Sequence, residues 1–287
     1  TAESTPVISE QETTSRAEIA SIFKSSLPLI LTYFLQYSLT VVSIFSVGHL
    51  GKTELAAVSL AIMTFNVTVS IFNGMATCLD TLCAQAYGAK RFDLVGLYFQ
   101  KCTAMLMVIA IPVITLWWFS GSLLMHIVED PQLAVLAQTF LRYISFGSPA
   151  YILFETGKRF LQAQGIFDAG QYCLFIVAPT NMVLNYLLVW NKTFGLGYIG
   201  APISTAVSYW LMAMLLFLYA LFIKGRECWY GLHLKMAFDF KSWGPMVGLA
   251  LNGTAMLLSE FIAFEILTLS AARFGTTALA SQSIAST

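Results

Sequence analysis

Glu260 and Glu265 stand in Trp243–Ala272, a 30-residue stretch with no other charged residue. A carboxylate at the centre of a bilayer costs about 2.5 kcal/mol or more. Such groups face a protein interior or a wet cavity, and they mark ion pathways. The pair therefore points to proton or cation handling, set against the plainer reading that neighbouring helices hold both. Five residues apart on a helix, the two side chains diverge by about 140° and share no face. One is expected to face a central cleft while the other packs against neighbouring helices. Burial disfavours the charged form of a carboxyl, and a group that loses and regains its charge is what proton exchange requires.

Other polar residues fall in apolar stretches. Asp80 and Glu155 lie near the ends of two of them, Glu155 just ahead of Lys158 and Arg159. Asp80, Glu155 and Arg159 read as structural anchors or as parts of a gate. For Gln36, Asn66 and Asn73 an interhelical hydrogen bond is the default role, with substrate contact the alternative. Arg142 is expected to snorkel outward or to meet Glu129. His49, His126 and His233 show no metal spacing. The chain has no Walker loop, no G-x-S-x-G and no Cys/His arrangement. Neither an enzyme, a metal nor a cofactor is expected.

Charged residues make up 10% of the chain and apolar residues 57%, against about 25% charged in soluble domains. The composition is that of a polytopic membrane protein. Fifteen basic and fifteen acidic residues give a net charge of zero, which suggests no nucleic-acid partner. The five cysteines, Cys78, Cys83, Cys102, Cys173 and Cys228, have neither zinc nor disulfide spacing and are expected as free thiols. The polar N-terminal segment lacks a basic region and cleavage site, and reads as a cytosolic tail.

A membrane span needs about 20 mostly apolar residues. Seven stretches qualify: Leu27–Gly48, Leu55–Ala84, Cys102–Leu124, Leu133–Thr156, Ala169–Trp190, Ala201–Ile223 and Trp243–Ala272. An eighth begins near Thr276. With the N-terminus inside, eleven basic residues (Arg16, Lys24, Lys90, Arg91, Lys101, Lys158, Arg159, Lys224, Arg226, Lys235, Lys241) fall on the cytosolic side and three (Lys52, Lys192, Arg273) outside. That bias follows the positive-inside rule. It is opposite to the orientation of seven-helix receptors, whose D-R-Y and N-P-x-x-Y triplets and runs are also missing.

The chain repeats itself. Gly51-Lys-Thr-Glu-Leu-Ala-Ala-Val-Ser-Leu-Ala61 aligns with Gly275-Thr-Thr-Ala-Leu-Ala-Ser-Gln-Ser-Ile-Ala285, six identities in eleven at an offset of 224 residues. The offset carries the second helix onto the eighth and Gln36 onto Glu260. Six-helix repeats are parallel, and such transporters bind substrate between the halves. The expected fold is all-α, a membrane helical bundle of parallel six-helix repeats. Residues 1–24 would be the tail, 25–225 the N-lobe, 226–242 a cytosolic linker and 243–287 the start of a C-lobe that continues beyond this chain. Asp130-Pro131 reads as a helix N-cap and first turn. Pro28, Pro112, Pro149 and Pro179 lie within spans, where neighbours can satisfy the freed carbonyls. Asn191-Lys-Thr193 is a glycosylation sequon.

Five motifs resemble one family. They are Val47-Gly-His-Leu-Gly-Lys-Thr-Glu-Leu-Ala56, Asp80-Thr-Leu-Cys-Ala-Gln-Ala-Tyr-Gly-Ala-Lys90, Arg159-Phe-Leu-Gln-Ala-Gln164, Leu196-Gly-Tyr-Ile-Gly-Ala201 and Glu260-Phe-Ile-Ala-Phe-Glu265. In this order they resemble the multidrug and toxic compound extrusion (MATE) transporters of eukaryotic type, with fungal or plant-like wording. The resemblance implies a twelve-helix, two-lobed antiporter that expels organic cations, drugs or metabolites in exchange for protons or, less favoured, sodium. It implies coupling and substrate roles for Glu260 and Glu265, and contributions from Gln36 and Asn66. Many bacterial members carry an acid on the first helix where this chain has Gln36, which favours protonation in the C-lobe. The expected partners are a small-molecule substrate, protons and the lipid bilayer. A monomer in the plasma or vacuolar membrane is expected. The alternatives are a flippase for an amphipathic lipid-linked molecule and a receptor or scaffold that moves nothing.

Overall fold

The structure is a computed structural model that describes residues 15–126, 130–191 and 195–273. The described residues are helical, with no strand among them. In chain order the helices are α1 (Ser15–Gly48), α2 (Lys52–Ala76), α3 (Cys78–Gly88), α4 (Phe92–Trp118), α5 (Ser120–Leu124), α6 (Pro131–Ile144), α7 (Ser148–Ala163), α8 (Asp168–Asn185), α9 (Gly200–Phe222), α10 (Leu234–Ala237) and α11 (Gly244–Arg273). Among the described residues, five continuous helical stretches are long and apolar enough to cross a membrane: 18–48, 52–88, 92–118, 168–190 and 197–222. The expected eighth helix, the repeat segment Gly275–Ala285, Glu129 and residues 192–194 of the sequon lie outside the described residues.

The helix boundaries depart from the sequence reading in four places. α1 begins at Ser15, inside the segment 1–24 expected as a tail. The second span runs past Ala84: α2 and α3 join at Thr77, which keeps helical backbone and donates its hydroxyl to the Gly74 carbonyl at 2.6 Å. The third span, read as Cys102–Leu124, is α4 starting ten residues earlier at Phe92, with α5 separate at its end. The fourth span is not one helix. A 3-10 turn, Ser145–Gly147, separates α6 from α7. Pro149 has no N–H for the carbonyl four residues back, and the Ser148 hydroxyl donates to that Ser145 carbonyl instead, at 2.8 Å. Gly147 also allows a close approach there, since a Cβ on it would sit 2.8 Å from the Ala206 Cα of α9.

The N-cap reading of Asp130 holds. Its carboxylate accepts from the Gln132 N–H at 2.9 Å and Pro131 occupies the first turn. Arg142 is exposed and reaches the C-terminal end of α4, while Glu129 lies outside the described residues. Its Nε donates to the Trp118 carbonyl at 3.0 Å and its guanidinium lies over the Trp118 ring.

α1 packs along α8, α7 and α8 along α9, α2 along α6, and α11 along α2. The core between them holds Phe72, Trp117, Phe140 and Phe154. Large apolar side chains are also exposed, Phe34, Phe217 and Phe222 among them. A soluble protein hides such a surface or uses it to bind; hydrocarbon accommodates it at no cost. Trp117 donates its indole N–H to Thr68 at 3.0 Å and Trp190 donates to the Ser46 carbonyl at 2.9 Å, so both ring nitrogens keep partners.

Candidate functional site

α7 carries Glu155 and Lys158 one turn apart, on a face that packs inward. Both side chains are about as buried as the apolar core, 5% and 3% exposed. Lys158 donates to the two carboxylate oxygens at 3.0 and 2.9 Å. From α1, Gln36 donates its amide N–H to Glu155 Oε1 at 2.8 Å. The Lys158 ammonium lies 4.7 Å from the Tyr33 ring centroid and 5.6 Å from that of Phe154. One face of α7 is thereby tied to α1 by a carboxylate, an ammonium, the Gln36 amide and the Tyr33 ring.

The next residue extends the network the other way. Arg159 donates to the Asp80 carboxylate of α3, and its second terminal nitrogen reaches the Asn73 carbonyl of α2 at 3.5 Å. About two helical turns before Arg159, at about 100° per residue, Tyr151 donates its hydroxyl to Asn73 Oδ1 at 3.2 Å. Asp80 is half exposed, whereas Arg159 is mostly buried. α7 is thus cross-linked by polar groups to α1, α2 and α3. Two buried polar atoms beside this network, Gln36 Oε1 and Arg159 Nε, have no hydrogen-bond partner among the described residues.

A second polar seam is uncharged. Asn181 of α8 donates to the Ser208 hydroxyl at 2.8 Å, and Asn185 donates to the Asn181 carbonyl and amide oxygens at 3.1 Å each. Ser43 and Thr205 pair at 3.0 Å. These bonds join α8 to α9 and α1 to α9.

α11 meets α2 at glycines. An ideal Cβ on Gly74 would sit 2.5 Å from the Thr254 Cα, and one on Gly253 would clash with the Thr77 hydroxyl and the Gly74 carbonyl. Small residues let backbones approach this closely where lipid gives helices no hydrophobic reason to associate. Two turns further along α11 comes Glu260, exposed and without a hydrogen bond or ion pair to a described residue. Glu265 is on the same helix, with its side chain outside the described residues. Asn66 is exposed on α2. The structure therefore brings Gln36 to Glu155, and Asp80 to Arg159. Among the described residues no hydrogen bond joins Gln36 or Asn66 to Glu260. Phe65, Phe72, Tyr151 and Phe154 are core, whereas Tyr33 and Tyr37 are exposed on α1.

Lys158 was legible as a loop cation and not as a buried one. The signal was there: Glu155-x-x-Lys158 has the three-residue spacing that places opposite charges together on a helix. Asn181 and Asn185 have the corresponding four-residue spacing. Among the described residues no group of three His, Cys, Asp or Glu is arranged to hold a metal ion.

A family model described as MatE matches residues 28–187. An uncharacterized transporter of Saccharomyces cerevisiae is 49% identical over 280 residues, covering 98% of this chain and 40% of the relative. Protein DETOXIFICATION 16 of Arabidopsis thaliana is 33% identical over 266 residues, covering 92% of this chain and 54% of the relative. The crystal structure of the eukaryotic MATE transporter AtDTX14 superposes with a TM-score of 0.78 at 29% identity, over 88% of this chain and 57% of that one. The chain spans about half the length of the curated relatives it matches.

Proposed function

The chain belongs to the MatE family, and from that premise we propose that the whole protein is a secondary antiporter that exports organic cations, drugs or metabolites in exchange for protons. The observation that carries this reading is Glu260. It is an exposed carboxylate without a described partner, on an apolar helix docked against α2. Such a charge in a membrane span calls for a cleft, an ion or a proton. The name of the Arabidopsis relative, a detoxification protein, agrees with export of toxic compounds.

In the proposed mechanism Glu260 and Glu265 take up protons on one side and release them on the other. A carboxylate that becomes neutral changes the relative energies of two packings of α11 against the first bundle. That difference is what lets a proton shift a conformational equilibrium. The buried Gln36–Glu155–Lys158 set and the Asp80–Arg159 pair act as a latch. They hold α1, α2, α3 and α7 as one rigid lobe, so the movement falls between lobes. The N-terminus is cytosolic, in a plasma or vacuolar membrane, and the working unit is a monomer.

The test is substrate efflux by the full-length protein in sealed vesicles with an imposed pH gradient, with and without sodium. Transport that follows the pH gradient, ignores sodium and collapses in Glu260→Gln supports the reading. Transport that survives Glu260→Gln combined with Glu265→Gln overturns the coupling site. Movement of lipid without a gradient would make the protein a flippase.

A further inference from the structure

A cavity of about 820 Å³ opens between α4, α7, α9 and the chain segment that leads from α9 to α11. That volume is within the range of ligand sites, about 300–1,000 Å³. Phe99 and Met107 of α4, Gly157 of α7, Ala213 and Phe217 of α9 and Trp229 of the connecting segment form its walls. Of the polar side chains on the wall, Gln100, Thr103 and Trp210 are engaged within the protein. Gln100 donates to the Gly231 carbonyl at 2.8 Å and accepts from the His233 N–H at 2.7 Å. Thr103 donates to the Phe99 carbonyl at 2.9 Å and bonds to Thr156 at 3.0 Å. Among the described lining residues only the Trp229 indole N–H is left to meet a polar ligand, and none carries a charge. The helices that carry Gln36, Asn66 and Glu260 contribute no lining residue.

The rim is different. Gly225, in left-handed backbone with φ 117°, turns the chain at the end of α9 and lines the cavity. Lys224 and Arg226 flank it, both exposed, and exposed Lys235 lies two residues before the lining Ala237. Lys101 follows Gln100. Glu227 and Asp239 are the acids of the same rim. An apolar groove with exposed basic residues next to its lining residues is complementary to an amphiphile with an anionic head.

We propose that this groove seats an acyl chain of an anionic phospholipid, whose headgroup is held by Lys224, Arg226 and Lys235. The leaflet rests on the orientation proposed above, which puts this end of α9 at the cytosolic surface. Anionic lipids there attract juxtamembrane basic residues by about 1 kcal/mol each. The chain fills space that Gly157, Ala104 and Ala213 leave between the helices, and so wedges α4 and α9 at a fixed separation.

The test is native mass spectrometry of the detergent-purified full-length protein, titrated with phosphatidylserine or with phosphatidylcholine of the same chains. One phosphatidylserine should be retained in preference to phosphatidylcholine. Lys224→Gln with Arg226→Gln should weaken phosphatidylserine by roughly fivefold for each charge removed and leave phosphatidylcholine unchanged. Ala213→Trp, which fills the groove, should lose both lipids; its melting temperature is checked beside the wild type. Equal retention of the two lipids, or indifference to both sets of variants, overturns the proposal. So does protection of Ala213→Cys from maleimide in lipid-free detergent, which would mean that another part of the chain covers the groove. None of these readouts needs transport or a known orientation, so failure of the antiport reading and failure of this one are separable.

Discussion

Replacing one member of the Glu155–Lys158 pair should cost far more than replacing both. At 2.9 Å and an effective dielectric of about 20, the attraction is roughly 6 kcal/mol. Desolvating the two ions costs several kcal/mol each, so the pair as a whole adds little net stability. Removing one partner is another matter, because the desolvated charge stays behind. The cost for such single changes is about 3–5 kcal/mol. Lys158→Met leaves the carboxylate with the Gln36 amide as its remaining direct donor. Glu155→Gln leaves the ammonium facing an amide oxygen and the Tyr33 and Phe154 rings, which return about 2 kcal/mol or more at a desolvated site. Lys158→Met should therefore be the more damaging. The double variant Glu155→Gln with Lys158→Met keeps an acceptor for Gln36 and strands no charge. It should come within about 1–2 kcal/mol of wild type, a coupling energy of at least about 4 kcal/mol in magnitude. The assay is unfolding of the full-length protein in mixed micelles titrated with a denaturing detergent, run as a complete double-mutant cycle. Single variants within 1 kcal/mol of wild type, or additive effects, would refute the reasoning. In that case the charges are hydrated in the working protein and α7 is not latched to α1.

The contact of α2 with α11 gives a second prediction: Gly74→Val should separate the helices by overpacking, at about 1–3 kcal/mol, and lower the melting temperature of the full-length protein. An unchanged melting temperature would show that the helices do not touch at Gly74. Ser148→Ala should leave the Ser145 carbonyl without its hydroxyl donor and cost about 1 kcal/mol, measured in the same micelle titration; a neutral result would mean that another group satisfies the break. Cys228 gives a pH prediction. Burial, with Glu227 adding, pushes its thiol up to about 11 from an ordinary value of 9.0. The folded thiol thus stays neutral through a range in which the unfolded one ionises, and its stabilising effect is complete below about pH 9 and is lost as the pH rises toward 11. Mass-spectrometric mapping after maleimide treatment at pH 7.5 should find Cys228 unlabelled until the protein is denatured. Labelling at the rate of an exposed thiol would refute its burial.

The sequence by itself determined the environment and most of the helix map. A chain with 10% charged residues has little choice but to place helices in lipid, where each backbone polar group must be satisfied within its own segment. Asp130-Pro131 announced its helix because capping is a local matter of one side chain and the next two N–H groups. The motifs Val47–Ala56 and Arg159–Gln164 carried the family. What failed locally was the unbroken fourth span. Hydropathy counts apolar residues and is blind to a missing N–H at Pro149 or to the close approach of α9 at Gly147.

The links of the polar network between helices were decided by the tertiary structure alone. Gln36 and Glu155 are 119 residues apart in the chain, Arg159 and Asp80 are 79 apart, and no local pattern states which partner a membrane carboxylate will take. Lys158 looked like a cytosolic cation because charge is read from composition. It is buried because α7 continues to Ala163 and turns that residue toward α1. Spacing is a property of the chain. The pairing of charges is a property of how helices cross, and it exists only once the core side chains between them have set the distance.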